Sequence, residues 1–251
     1  MTELRRHILE KAFNRGDTRL SIITRNLESS EGTTYDEQKI LEEIWKMIGE
    51  GLVYFDSGSG SSSNWDLRIS EKGNHALNNL DDFNPYDPDE YLFRLKAKVA
   101  RIDETVLLYT SESLRAFNAE CYLSTMVMLG VASEKTFLLM AESFALWLPK
   151  NQSESLLDTL KNPKRNMVEK FIEFRKGIES CKPKLPPEFA DNMALTLDSV
   201  LDLIRVYRNE SGHPTGKTTQ SEDAFVMLHM FAVYLKKLFG MIDFFGSTKY
   251  S

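Results

Sequence analysis

A chain of 251 residues is long enough for one large or two modest domains with real cores. Its 42% apolar and 27% charged residues are ordinary globular values that exclude wholesale disorder. A net charge of −6 excludes the overall basic balance of a protein that coats nucleic acid, and two cysteines without metal-ligand spacing, Cys121 and Cys181, read as reduced structural thiols with no zinc site.

The N-terminal stretch MTELRRHILEKAF contains no apolar run of signal-peptide length, and no segment approaches the ~20 apolar residues of a membrane span. The expectation is a soluble, cytoplasmic protein that makes no use of a membrane. The same stretch opens a helix over Glu3 to Asn14, with Leu4, Ile8 and Phe13 sharing an approximate face and Gly16 ending it. A short helix follows over Arg19 to Leu27, then a loop from Ser29 to Thr34. A third helix, Asp36 to Gly49, carries Ile40, Leu41, Ile44, Trp45 and Ile48 on its buried face and stops at Gly51. Two strand candidates, Leu52 to Asp56 and Trp65 to Ser70, flank the flexible tract SGSGSSSN, and a closing helix lies near Gly73 to Leu80.

Three helices and a hairpin, with the phrase LRISEKG from Leu67 to Gly73, resemble a winged-helix domain over residues 1 to 80. In such domains the third helix often enters the DNA major groove. Here it presents Asp36, Glu37, Glu42, Glu43 and Glu50 against only Lys39 and Lys46, which repels phosphate and disfavours sequence-specific DNA binding. Arg5, Arg6, Arg15, Arg19 and Arg25 lie elsewhere, so another face remains open to nucleic acid. A protein partner or dimerisation is favoured for this module over DNA reading.

Residues 81 to 89, DDFNPYDPD, have the prolines and carboxylates of a linker. Charge divides around it: residues 1 to 80 hold 10 Lys and Arg against 13 Asp and Glu, residues 81 to 90 hold 5 acids and no base, and residues 91 to 251 hold 21 bases against 19 acids. Beyond the linker, Glu90 to Arg101, Glu104 to Phe117 and a Met- and Leu-rich run from Ala119 to Leu148 read as helices, the last closed by Pro149. Met126, Met128 and Met140 suit a core or a subunit interface. Ser155 to Glu179, interrupted near Asn162 and Pro163, is helical again. CKPKLPP, Cys181 to Pro187, is a rigid connection, and Glu188 to Arg208 and Thr219 to Phe245 complete an antiparallel bundle over residues 90 to 251.

The residues richest in chemistry lie between those last two helices, in the run Arg208, Asn209, Glu210, Ser211, Gly212, His213, Pro214. Leu197, Val200, Ile204 and Tyr207 place Arg208 in the last turn of one helix. Gly212 and Pro214 turn the chain, and Thr219 with Glu222 forms a capping box for the next. RNA is cleaved without a metal when its 2'-hydroxyl attacks the adjacent phosphorus, provided one group moves a proton and another stabilises the phosphorane. Histidine titrates near neutrality and serves the first need; the fixed charge and planar fork of arginine serve the second. Asn209 is placed to hold the imidazole or a phosphate oxygen. The same residues also make an ordinary helix stop, with Arg208 complementing the helix dipole.

RNESGHPTG followed by a long apolar helix resembles the HEPN domains, all-helical modules whose signature is an Arg, a polar residue directly after it, and a His beyond four to six intervening residues. Arg208, Asn209 and His213 match with four intervening residues. The run NAECYLSTMVMLGVASEKTFLLM, Asn118 to Met140, resembles the second helix of the family, and the likeness extends from about residue 88 onward. It implies a homodimer built through the C-terminal bundle, in which two motifs face each other as one metal-independent endoribonuclease site needing no cofactor. RNA would be the substrate, and products would end in a 2',3'-cyclic phosphate and a 5'-hydroxyl. Arg208 would bind the scissile phosphate, His213 would act in proton transfer and Asn209 would orient them. Glu134 aligns with an acidic position that would orient Arg208, Glu112 and Glu120 do so less well, and Arg205 and Lys217 are candidate RNA phosphate contacts.

The expected fold class is therefore mainly α, an N-terminal winged helix followed by an all-α HEPN-like bundle. The resemblance also makes a role in prokaryotic antiviral defence, as a toxin, or in stress response a natural expectation. Two alternatives stand beside the nuclease: a non-catalytic helical dimer that binds RNA or protein, and a transcription regulator acting through the N-terminal module.

Overall fold

The computed structural model describes residues 3–13, 18–28, 35–56, 65–78, 83–99, 101–191 and 218–250. The chain is mainly helical with one small two-stranded antiparallel sheet, and it divides into two compact units, Met1–Tyr91 and Leu92–Ser251.

The first unit contains α1 (Glu3–Phe13), α2 (Leu20–Glu28), α3 (Glu37–Gly49), β1 (Val53–Asp56), β2 (Asp66–Ile69) and α4 (Glu71–Asn78). Leu4, Ile8, Leu9 and Ala12 of α1 are buried against Ile23, Leu27, Ile40, Ile44, Met47 and Leu67. Phe13 does not share that face and is 46% exposed. It lies nine positions after Leu4, and at 3.6 residues per turn that interval ends on the opposite side of a helix. On α3 the apolar stripe is Ile40, Ile44 and Met47, with Leu41 and Ile48 half-buried at its edge. Trp45, expected in the stripe, stands 59% exposed.

The end of α3 explains how the sheet begins. Gly51 adopts φ 71°, a left-handed conformation that glycine takes without a Cβ clash. Its N–H donates to the Ile48 carbonyl and the Leu52 N–H to that of Met47, the paired bonds of a Schellman motif, with Leu52 and Met47 both buried. The chain then enters β1, which pairs with β2 in the register Val53↔Ile69, Tyr54↔Arg68, Phe55↔Leu67 and Asp56↔Asp66. Thr18 and Arg19 add a short bridge beyond β2: Leu67 N–H donates to the Thr18 carbonyl and Leu20 N–H to that of Trp65.

Arg5 of α1 clamps two of the carboxylates of α3. It donates to Glu43 and makes two parallel bonds to Glu50 of 2.9 and 2.8 Å. Burial alone would lower its pKa, but the hydrogen bonds and charges of Glu50 and Glu43 outweigh burial and raise it. Glu43 and Glu50 are thus partners of a structural cation, and Arg5 is committed to them.

Phe83, Asn84 and Asp87, in the stretch whose prolines and carboxylates suggest a linker, are buried within the first unit. The Asn84 side chain donates to the Ala76 carbonyl at 3.5 Å, and Tyr86 stacks on His75 at 5.9 Å. Asp87 accepts from the Glu90 N–H at the start of α5 (Pro88–Lys98). Tyr91 is fully buried, which pushes its phenol pKa up.

The second unit is helical: α6 (Glu104–Asn118), α7 (Tyr122–Trp147), α8 (Lys150–Lys161), α9 (Met167–Ser180), a 3-10 turn at Lys182–Lys184, α10 (Pro187–Ala190) and α11 (Ser221–Ser247). Asp103 caps α6 by accepting from the N–H groups of Thr105 and Val106, and Asn166 with Glu169 forms a reciprocal capping box on α9. Helix α7 is central and packs on α6, α8, α9 and α11. Its apolar residues run round most of its circumference because it has neighbours on most sides. Aromatic rings fill the core: Phe144 meets Phe174 at 5.4 Å, Phe245 at 5.3 Å and Trp147 at 6.1 Å. Met126 and Met140 are buried and Met128 half-buried.

Three expectations change here. Helix α8 starts at Lys150, directly after Pro149, instead of at Ser155, because proline is tolerated where a helix begins. The segment from Glu188 does not run on as one helix, since α10 stops at Ala190 and Asp191 is extended; residues 192–217 lie outside the described residues. Finally, α7 and α11 are both long and apolar enough to cross a membrane, although the sequence suggested that no segment approached that length. Scattered charged residues and His229 break the apolar runs but leave both helices apolar on average. A core helix of a soluble protein has the same length and composition, and half of the apolar stretch of α7 and 39% of that of α11 are buried.

Candidate functional site

Arg205, Arg208, Asn209, Glu210, His213 and Lys217 all lie outside the described residues, as does the turn expected around Gly212 and Pro214. The described chain borders them on two sides, ending at Asp191 and resuming at Thr218.

The downstream edge is the start of α11. Its N-cap is Gln220, and no side chain caps it. The expected box of Thr219 and Glu222 is not formed: Ser221 Oγ instead donates to Glu222 at 3.0 Å. The bond from its own backbone N–H, then that from Ser221, holds the Glu222 carboxyl below its usual range. This end of α11 packs on the corner between α6 and α7, where Phe117 meets Phe225 at 6.4 Å and Tyr122 at 5.7 Å. Partial burial, then the charges of Glu120 and Glu222, raise the Tyr122 phenol pKa, and a bond with Ser221 opposes them. Glu120 turns the corner at φ 60°, left-handed backbone that non-glycine residues rarely adopt. Among the described residues, the charges acting on Tyr122 at this corner, those of Glu120 and Glu222, are acidic.

Glu134 is half-buried on α7, one turn from Gly130 and three residues before Phe137, both buried. Glu112 pairs with Arg115 at 3.0 Å on the exposed side of α6. The family resemblance ranked Glu112 and Glu120 below Glu134, and both have local structural roles.

Hydroxyl nucleophiles are accounted for along the α6–α7 seam. Thr110, Thr125, Ser133 and Thr136 each donate to a carbonyl one turn back, and Ser113 donates across to the Thr125 carbonyl at 2.8 Å. These small side chains let the helices approach closely while satisfying their own polar atoms. Ser143 donates to Ile242 at 3.2 Å and ties α7 to α11. Cys121 is exposed and Cys181 buried, and both are free thiols.

One surface feature was not expected from the sequence. Val226, Met230 and Val233 recur at four and three residues along α11 and are 51%, 42% and 58% exposed. Their spacing was legible, but an apolar stripe on a helix normally faces a core, and only the packing of the opposite side on α7 shows that this one faces outward. Compared with known proteins, the chain matches no family model, no curated protein and no solved structure.

Proposed function

We propose that the protein is a metal-independent endoribonuclease of the HEPN type, with a winged-helix domain at its N-terminus. The observation that carries the proposal is the run from Arg208 to Gly216, which sets a guanidinium, a carboxamide and an imidazole in nine residues shortly before a long apolar helix. In this reading, the 2'-hydroxyl of RNA loses its proton as it attacks phosphorus, and the 5'-oxygen leaves with a proton. His213 transfers protons, Arg208 neutralises the phosphorane, Asn209 orients them, and Arg205 and Lys217 hold flanking phosphates. Glu134 supports Arg208 from α7.

The helical second unit and the outward stripe of Val226, Met230 and Val233 on α11 support assembly as a homodimer, because a monomer gains nothing by exposing a periodic apolar row. Three helices, a hairpin and a closing helix support the winged-helix reading of the first unit. A cytoplasmic protein acting in antiviral defence or stress response follows from the same resemblance. Purified protein with labelled RNA in EDTA is expected to yield 2',3'-cyclic phosphate ends, with at least a roughly hundredfold loss in Arg208→Ala and His213→Ala, the order that general acid–base catalysis supplies. Equal cleavage by all three proteins defeats the assignment. RNA or protein binding without turnover would instead favour the non-catalytic dimer.

A further inference from the structure

Helix α11 carries a seam that the chain itself covers at one end only. Asp223, Val226, Met230, Val233 and Lys237 follow one another at intervals of three and four residues, the spacing that lines one edge of a helix and marks the contact edge of paired helices. The same spacing continues to Gly240 and Phe244. There Phe189 of α10 lies over the seam: a Cβ at Gly240 would meet its ring at 3.6 Å, and the rings of Phe189 and Phe244 are 5.8 Å apart. Toward the N-terminus the seam is open, and Val226, Met230 and Val233 each stand about half exposed.

The two ends of the open seam carry opposite charge. Glu222 and Asp223 are exposed at its start; at its end Lys236 is exposed and Lys237 half-buried, and between these pairs α11 has no other Asp, Glu, Lys or Arg. Glu120, at the corner beside the start of α11, adds to the acidic end, since its charge acts on Tyr122 together with that of Glu222. Asp223 precedes Met230 by seven residues and Lys237 follows it by seven, about 10 Å along the axis in each direction. Two copies of α11 laid antiparallel about a twofold axis near Met230 therefore bring the acids of each beside the lysines of the other, with Val226 against Val233. Laid parallel, they set acids on acids and lysines on lysines, and their helix dipoles repel. A lipid surface offers no such change of sign, and its anionic headgroups repel the acidic end. We propose that the open seam of α11 packs antiparallel on the same seam of a second copy, with Val226, Met230 and Val233 as the apolar centre and Glu222 and Asp223 facing Lys236 and Lys237 of the partner subunit. The inference rests on the homodimer of the proposed function and assigns its contact face and direction.

Sedimentation equilibrium of the full chain over a concentration series measures the dimer, and circular dichroism checks that each variant is folded. Met230→Glu, which sets unpaired carboxylates at the centre, should raise the dimer Kd at least about tenfold. Glu222→Lys with Asp223→Lys, and Lys236→Glu with Lys237→Glu, should each weaken the dimer because like charges then meet, and an equimolar mixture of the two double variants should restore it. Direction is read by oxidative cross-linking in a Cys121→Ala background, which removes the exposed native thiol. Antiparallel packing keeps two Val226→Cys chains about 12 Å apart along the axis, beyond the ~7 Å reach of a disulfide, whereas Val226→Cys mixed with Val233→Cys should cross-link. A folded Met230→Glu that dimerises as the parent does, a mixture that stays monomeric, or Val226→Cys that cross-links to itself would overturn the inference while leaving a homodimer through another face. A parent protein that is monomeric at every concentration would overturn the homodimer as well, and if that monomer binds vesicles of anionic lipid through Met230, the seam belongs to a membrane. None of these variants touches residues 205 to 217, so RNA cleavage is scored separately.

Discussion

Gly73→Ala should destabilise the first unit by about 2 kcal/mol, opposite to the direction set by helix propensity. Gly73 lies in the first turn of α4, where exchanging Gly for Ala would ordinarily gain up to ~1 kcal/mol. A Cβ built there, however, falls 2.0 Å from the Leu52 carbonyl oxygen and 2.9 Å from Ile69 Cγ1. That carbonyl cannot simply retreat: it accepts from Ser70 N at 3.0 Å and Ser70 Oγ at 2.9 Å, and Leu52 N–H closes the end of α3. Overpacking of this kind typically costs ~1–3 kcal/mol, and a disrupted hydrogen bond adds ~1 kcal/mol. Subtracting the propensity gain leaves about 2 kcal/mol. Urea denaturation followed by tryptophan fluorescence can assign the loss, because Trp45 and Trp65 report on the first unit and Trp147 on the second. With m of ~1–3 kcal/mol/M, the midpoint of the first unit should fall by about 1 M. Gly49→Ala is the matched control: its Cβ meets nothing within 4 Å, and it should raise stability by up to ~1 kcal/mol. An unchanged or higher midpoint for Gly73→Ala, or a loss for Gly49→Ala, would refute the reasoning.

Arg5→Met should cost the first unit about 2 kcal/mol in the same assay by stranding Glu43 and Glu50, the range for hydrogen bonds to charged groups; an unchanged midpoint would mean that water replaces the guanidinium freely. Phe144→Ala removes a fully buried ring that touches Trp147, Phe174 and Phe245, and Trp147 fluorescence should show the second unit losing ~3–5 kcal/mol. Glu120→Gly should stabilise the second unit by ~1 kcal/mol, since glycine adopts positive φ without the Cβ penalty; thermal melting checks the sign. Tyr91 makes stability fall as pH rises through 10.0, its ordinary value: burial raises the folded-state pKa, so the unfolded chain loses its proton first and is favoured by alkali. Tyr91→Phe should flatten the decline in stability above that pH.

Periodicity and punctuation made most elements legible. Ile40 and Ile44 set the buried stripe of α3, Gly51 its stop, and Asn162 with Pro163 the break between α8 and α9, because these signals act through bonds and contacts within a few residues. Helix starts were less secure at α8 and α11, where Pro149 and Gln220 are the N-caps and side-chain caps are absent. The candidate nuclease residues came from local chemistry and family likeness, and Arg208, Asn209 and His213 carry that reading from sequence alone.

By itself, the sequence determined the helical character, the alternation behind the small sheet and the grouping of Arg, Asn and His in one short run, since all three depend on neighbours in the chain. The tertiary structure decided that Trp45 faces solvent beside Phe55, that Arg5 is held by two carboxylates of α3, and that the apolar row of α11 points outward. The physical reason is that an apolar or charged side chain has the same local spacing whether it meets a core, a partner or water. Only contacts between residues distant in sequence, 38 and 45 positions apart for Arg5, select among those environments.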